Sequence, residues 1–406
     1  MPAPPIDEVP RLAVTAPSFS ITGEEVKAAR ERSWYARTEY GLAVLRYAEA
    51  AELLKHPGLR QGSAAWPAHN GVTTGPFARW FDSWVLNKEG EEHHRLRRLL
   101  RPAFSRRLIM GLAPRFTALA DELIDGFSDA GRCEFTADFA SPYSARVIAL
   151  LLGLPEDEWP VIAQESTTLG LAMGVTLKSD LPRIEAALAT LYDFADAAIA
   201  GRQAHPRDDF MTTLVQSCGD GTGDGTGDSL TASELRDAVV LLIFGGYDTT
   251  RHQLGLAMAT FLKHPGQWDL LARDPALGGK AVEEVMRVNP TTRWVTREAL
   301  ETLDFHGVRI EAGTTVHLFS EAAGTDPRVF TGPAFDIAAD RETHIGFGGG
   351  VHYCIGHLVA RCDMSVALPL LARRLRAPRA LAGAQWLPDS GNTGPVALPI
   401  AFTPAD

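Results

Sequence analysis

The chain has 406 residues, 45% of them hydrophobic and 22% charged, enough apolar material for one large core or two lobes. Its formal net charge of −11 argues against broad nucleic-acid binding, and ordinary Gly and Pro usage argues against collagen-like or disordered chains. Four cysteines, Cys133, Cys218, Cys354 and Cys362, are too sparse and uneven for a disulfide framework.

The first residues, MPAPPIDEVPRLAV, lack the basic start and apolar core of a secretory signal. No run approaches the roughly 18 apolar residues of a membrane span. The expectation is a cytoplasmic protein off the membrane. Its fold class is mainly α (α+β), a single helix-rich unit over 1–406 with a small sheet at one side.

In chain order, Tyr35 to Tyr47 predicts a small sheet of its own. KEGEEHHRLRRLLRPAF reads as a basic helix. His93 and Arg97, four apart there, look by themselves like part of a solvated face. GDGTGDGTGDS, Gly219 to Ser229, reads as a solvated loop. Its Gly-Asp repeat is faintly like a calcium-binding β-roll, but one short copy has no neighbours to stack on.

The clearest helix is predicted from Ala232 to Lys263. Thr231 and Glu234 make a capping-box pattern, and Pro265-Gly266 stops it. Its apolar middle, AVVLLIFGGY, belongs in a core. Gly245 and Gly246 each cost about 1 kcal/mol against alanine in a helix interior, so they need a reason. Gly245 and Thr249 share a face, and a missing side chain at Gly245 would open a notch beside the Thr249 hydroxyl. Close packing of two helices is the competing reason. Asp248 would be costly in this stretch without a partner.

AVEEVMRVNP predicts a helix ending near Pro290, with Glu284 and Arg287 three apart. Trp294 to Leu318 predicts short hairpins around His306-Gly307 and Ala312-Gly313. Arg293, Val295 and Arg297 share parity on an extended segment. Then comes Phe347-Gly348-Gly349-Gly350-Val351-His352-Tyr353-Cys354-Ile355-Gly356, followed by an apolar-periodic helix. The glycines let the backbone turn sharply and let something flat come close. Cys354 precedes a helix N-terminus, where free N–H groups favour a thiolate. Two plainer readings stay open here. Cys354 is an inert cysteine, or His352, Cys354, His357 and Cys362 bind zinc.

This last segment resembles the haem-binding loop of the cytochrome P-450 family. Phe347, Gly348, Gly350, His352, Cys354 and Gly356 match every fixed position of its Phe-Gly-x-Gly-x-His-x-Cys-x-Gly pattern. The resemblance implies the P-450 fold, haem b, and Cys354 as its axial thiolate. It implies that Phe347 packs near the sulfur and that His352, His93, Arg97 and Arg297 hold the propionates. Gly245, Asp248 and Thr249 fall on the acid–alcohol motif that delivers protons when dioxygen is activated. Tyr247 occupies that motif's variable position. Glu284 and Arg287 fall on a buried structural Glu-x-x-Arg pair. The motifs follow the family's order from about residue 88 to 363. The first 60 residues are only weakly diagnostic, and His357 and Cys362-Asp363 depart from the family's usual residues.

The implied activity is a monooxygenase that inserts one oxygen atom from O2 into a small, largely apolar molecule of secondary metabolism. Hydroxylation, epoxidation and dealkylation all stay open. By the family's layout, Trp66 to Trp84, with Phe77, Trp80, Phe81 and Trp84, forms a variable pocket wall. Leu241, Phe244, Arg293 and Val295 line the pocket, and residues 168 to 178 form part of a lid. Arg293 is expected to meet an anionic or carbonyl-bearing substrate, or else to form a structural ion pair or face solvent. No flavin or iron–sulfur module is present, so electrons are expected from a separate ferredoxin and ferredoxin reductase. Arg98, Arg101, Arg106 and Arg107 would greet an acidic partner. A monomer is expected. The alternatives are a non-catalytic haem-binding sensor or carrier and a zinc-stabilised helical protein.

Overall fold

The long helix forms where its own sequence starts and stops it. Glu234 N–H donates to the Thr231 hydroxyl (3.2 Å) while Thr231 N–H donates to the Glu234 carboxylate (2.8 Å), a closed capping box. The helix then runs Ala232–Lys263, as its sequence predicts, and ends before Pro265. Its 32 residues span about 48 Å at the usual rise.

The computed structural model describes residues 9–16, 18–174, 176–218, 229–388 and 391–405. The Gly-Asp repeat, with its calcium-like pattern, lies at 219–228, outside the described residues. The chain divides into two compact units. The first comprises Met1–Ala64, Glu283–Cys354 and Leu387–Gly394. The second comprises Ala65–Val282, Ile355–Trp386 and Pro395–Asp406.

The first unit holds strands β1 (Tyr35–Arg37), β2 (Gly41–Val44), β3 (Leu59–Gln61), β4 (Trp294–Ala299), β5 (Leu303–Phe305), β6 (Val308–Ile310) and β7 (Thr315–Phe319). Five of them form one sheet in the order β1-β2-β7-β4-β3. The expected separate sheet at Tyr35 to Tyr47 is therefore corrected. β1 and β2 form an antiparallel hairpin, but β2 also pairs in parallel with β7. That partner lies far downstream, and no local pattern announces it. The β5–β6 hairpin stands where the sequence predicts one. His306 (φ 48°) and Gly307 (φ 77°) supply the two left-handed residues of a tight hairpin turn. Under the sheet, Tyr35, Val44, Leu53, Leu59, Val316 and Leu318 pack into one buried cluster.

The second unit is built on helices α1 (Pro76–Ser83), α2 (Gly90–Leu100), α3 (Ser141–Leu152), α4 (Trp159–Gly170), α5 (Ala232–Lys263) and α6 (His357–Arg374), among others. Its sheet is small. Strands Arg132–Glu134, Leu375–Ala380 and Pro399–Pro404 pair antiparallel, and Gln385–Trp386 pairs with Pro395–Ala397. α3 and α5 approach closely because Gly246 has no side chain. A Cβ there would lie 2.3 Å from Ile148 Cδ1. No described helix is long and apolar enough to cross a membrane.

Candidate active site

Backbone geometry sets the cysteine loop. Gly348 (φ 70°) and Gly350 (φ 67°) take left-handed conformations that suit glycine. A Cβ on Gly350 would sit 2.6 Å from the Leu54 carbonyl oxygen, and one on Gly349 would sit 3.1 Å from the Leu54 side chain. These two glycines therefore serve a close approach by the protein's own chain. A Cβ on Gly348 would meet only the His352 carbonyl oxygen, at 3.8 Å, so that glycine leaves room. Gly348 N–H donates to Ile345, and Cys354 N–H donates to the Phe347 carbonyl at 2.9 Å, which closes the loop. Phe347 is buried, and its ring lies 6.3 Å from that of Tyr353. Cys354 forms no disulfide and is half-buried. Gly356 caps helix α6 two residues later.

In the same unit, Arg297 on β4 is buried at 3% exposure. It donates to two neutral acceptors, the Gln61 side chain and the Thr296 carbonyl. His352 is also buried. Arg293 is buried just before β4, where its backbone is held by Gly391 and Ser320 (2.8 Å each). Val295 packs against the apolar cluster beneath the sheet. Glu284 and Arg287 form a two-pronged pair, with Arg287 Nε and Nη2 each 2.7 Å from a Glu284 oxygen.

Helix α5 of the second unit carries the acid and the alcohol on different faces. Leu241, Gly245 and Thr249 make a half-buried stripe, one residue per turn. A Cβ on Gly245 would meet nothing within 4 Å. Of the two glycines, then, Gly246 packs against α3 and Gly245 opens a notch. Thr249 Oγ1 donates to the Gly245 carbonyl at 2.6 Å. Asp248 is buried at 7% exposure. Its Oδ1 accepts from Arg251 Nη2 at 3.0 Å and lies 3.4 Å from His252 Nε2. Burial would push this carboxyl up. The hydrogen bond and charge of His252, with those of Arg251, outweigh burial and hold it below the ordinary aspartate range. Arg251 and His252 lie outside the matched motifs, although spacings of three and four from an acid on a helix signal such pairs.

His93 is buried and Arg97 half-buried on α2. Trp80 on α1 and Trp84 just after it join an aromatic cluster with Phe244. Trp84 lies 4.9 Å from Trp80 and 6.0 Å from Phe244, centroid to centroid.

The Cytochrome P450 family profile matches residues 277–379. The chain is 37% identical over 399 residues to luteothin monooxygenase of Streptomyces thioluteus, covering 97% of this chain and 96% of that one. The chain belongs to the cytochrome P450 family. This P450 is also 32% identical to nocardicin C N-oxygenase of Nocardia uniformis subsp. tsuyamanensis, over 78% of this chain and 79% of that protein. Among solved structures it resembles CalO2, with TM-score 0.86 and 27% identity over 96% of this chain and 100% of that one. The fold is the P450 fold, mainly helical with small sheets, and the protein is a P450 monooxygenase of bacterial type.

The family implies a haem-thiolate, and the residues of this P450 fit one. In the first unit a half-buried thiol stands at the end of a loop where a Cβ on Gly348 would meet only the His352 carbonyl oxygen; in the second unit, taken by itself, Gly245 leaves an open notch on its helix. Buried or half-buried cationic or ionisable side chains at His93, Arg97, Arg297 and His352 suit carboxylates. The zinc reading of His352, Cys354, His357 and Cys362 is not assembled. No three His, Cys, Asp or Glu side chains gather as a metal site among the described residues.

Proposed function

We propose that Cys354 would bind haem iron through its thiolate and that His93, Arg97, Arg297 and His352 would hold its propionates. Haem so held supplies the activation of dioxygen. The chain's own part is to position substrate, exclude water and move protons. Asp248 and Thr249 carry the protons. The observation behind this assignment is the Thr249 hydroxyl on the open stripe beside Gly245, with an ionised Asp248 next to it in sequence. The substrate is a small, largely apolar molecule of secondary metabolism, a class that the aromatic cluster of Trp80, Trp84 and Phe244 suits. Trp80, Trp84, Leu241 and Phe244 form its apolar wall.

Thr249→Ala tests the proton role. Positioned proton donors contribute roughly 10²–10⁴-fold. Product per oxygen consumed is therefore expected to fall at least about tenfold in the variant. Oxygen uptake and product are measured together, and equal coupling in variant and parent would remove Thr249 from the mechanism.

Electrons come from a separate ferredoxin and its reductase. Arg98, Arg101 and Arg106 are exposed and offer positive charge to an acidic partner. Arg107 contributes less than its sequence suggests, because Asp208 meets its guanidinium at 2.9 and 3.0 Å. Screening acts over about 10 Å at 0.1 M salt. Reduction by an acidic ferredoxin should therefore slow as ionic strength rises. A stopped-flow rate indifferent to salt would remove this patch.

A further inference from the structure

The acid of the acid–alcohol pair does not stand alone on α5. Its partner Arg251 reaches outward as well. Arg251 Nη1 donates to Thr167 Oγ1 on α4 at 3.1 Å. The guanidinium carbon also lies over the Tyr247 ring, 5.0 Å from its centroid. The Tyr247 hydroxyl is 3.2 Å from Thr167 Oγ1 and 2.7 Å from Ser141 Oγ on α3. Tyr247 itself is buried at 1% exposure. One phenol thus ties three helices together, and its ring seats the cation that holds the acid.

We infer that Tyr247 is a positioning residue for proton delivery, its ring and hydroxyl holding Arg251 where that guanidinium clamps the Asp248 carboxylate. The inference deepens the proton role proposed above for Asp248 and rests on it. A flexible arginine one turn along a helix samples many rotamers. The ring beneath it and Thr167 beside it select the one that meets Asp248. Without that restraint the buried carboxylate loses one of its two partners, His252 alone then offsets burial, and its titration moves up. The ionisable groups that meet Asp248 are Arg251 and His252, both on α5. From α4 come the neutral groups Thr167 and Gly170, and a Cβ on Gly170 would lie 3.5 Å from Asp248 Oδ1. α3 meets the network through Ser141.

The test is an infrared titration of carboxyl-¹³C-aspartate-labelled holoenzyme, with Asp248→Asn subtracted to isolate one carboxyl band. Coupling of oxygen uptake to product is measured on the same preparations. Tyr247→Leu removes ring and hydroxyl. Its Asp248 band should titrate about one pH unit higher than in the parent, the size expected of a lost cation–π seat. Tyr247→Phe keeps the ring and should shift in the same direction by less. Arg251→Ala should reproduce the full shift, and Arg251→Lys should restore part of it. Coupling should fall in the order of these shifts. If Tyr247→Leu and Tyr247→Phe both titrate like the parent while Arg251→Ala shifts, Tyr247 does not position the arginine. Should the leucine variant not fold, the phenylalanine and lysine variants decide by the same readout. Full coupling in Asp248→Asn would overturn the proton role of Asp248, and the titration would still report on the clamp.

Discussion

Replacing Cys354 with alanine should abolish product formation and leave the fold intact. The side chain is half-buried on a loop, and the bond that closes the loop there runs from the Cys354 backbone N–H to Phe347. Truncation removes neither that bond nor the left-handed turns at Gly348 and Gly350. In haem-free protein the stability change should stay within about 0.5 kcal/mol, as for substitutions outside the core. The chemistry is another matter. With haem bound, a Cys354 thiolate would donate electron density that no other side chain of the loop can supply, because none offers an anionic sulfur. The nearest cysteine in sequence, Cys362, is buried in the second unit, with its thiol 3.8 Å from the Ile109 carbonyl and pushed up to about 11 by burial and the Asp363 charge. It is no substitute. The reduced carbon monoxide complex reads the outcome. The thiolate-type band should vanish in the variant along with turnover, and an unaltered spectrum would end the assignment of position 354.

Much of this site was legible because its signals are local. A capping box and a proline bound the long helix, and both ends fall where the residues put them. The two glycines at 245 and 246 demanded a reason, and the two reasons weighed turn out to apply one to each. The cysteine loop announced itself by spacing, yet its glycines were only half understood. Gly349 and Gly350 accommodate Leu54, some three hundred residues earlier in the chain. No reading of the loop alone supplies that neighbour. The same limit explains the sheet. Tyr35 to Tyr47 reads as strand-forming, but the parallel partner β7 is chosen by tertiary packing.

The Asp248 clamp marks a different kind of miss. Asp248, Arg251 and His252 are adjacent on one helix, so the pairing was available from spacing. What spacing could not supply is the seat. Thr167 and Ser141 come from other helices, and only the fold brings their hydroxyls to Tyr247. A tyrosine at a motif's variable position looks free until those partners are known.

Breaking the Glu284–Arg287 pair should cost more stability than any surface ion pair in the protein. Both side chains are almost fully buried, at 2% and 3% exposure. Glu284 accepts from Arg287 at 2.7 Å twice and from the Asp336 N–H at 2.9 Å. Arg287 also donates to the carbonyls of Gly324 (2.6 Å) and Ala334 (2.7 Å). The pair therefore pins the end of helix Gly278–Val288 to the end of a short helix at Gly324 and to the loop at Ala334 and Asp336. The next residue back, Met286, approaches Gly346 just before the cysteine loop: a Cβ there would sit 3.0 Å from the Met286 carbonyl oxygen. Glu284→Ala leaves a buried guanidinium without its carboxylate, a change that costs about 3–5 kcal/mol. Apolar replacement of both partners can be neutral in other proteins, but here it would strand the Gly324 and Ala334 carbonyls and the Asp336 N–H. The double variant Glu284→Leu, Arg287→Met is accordingly expected to be destabilised too, unlike a simple isolated ion pair. Urea midpoints of the holoenzyme measure both effects, with haem retention followed in parallel. A Glu284→Ala midpoint equal to the parent's would show that the pair is not what holds the cysteine loop's surroundings in place.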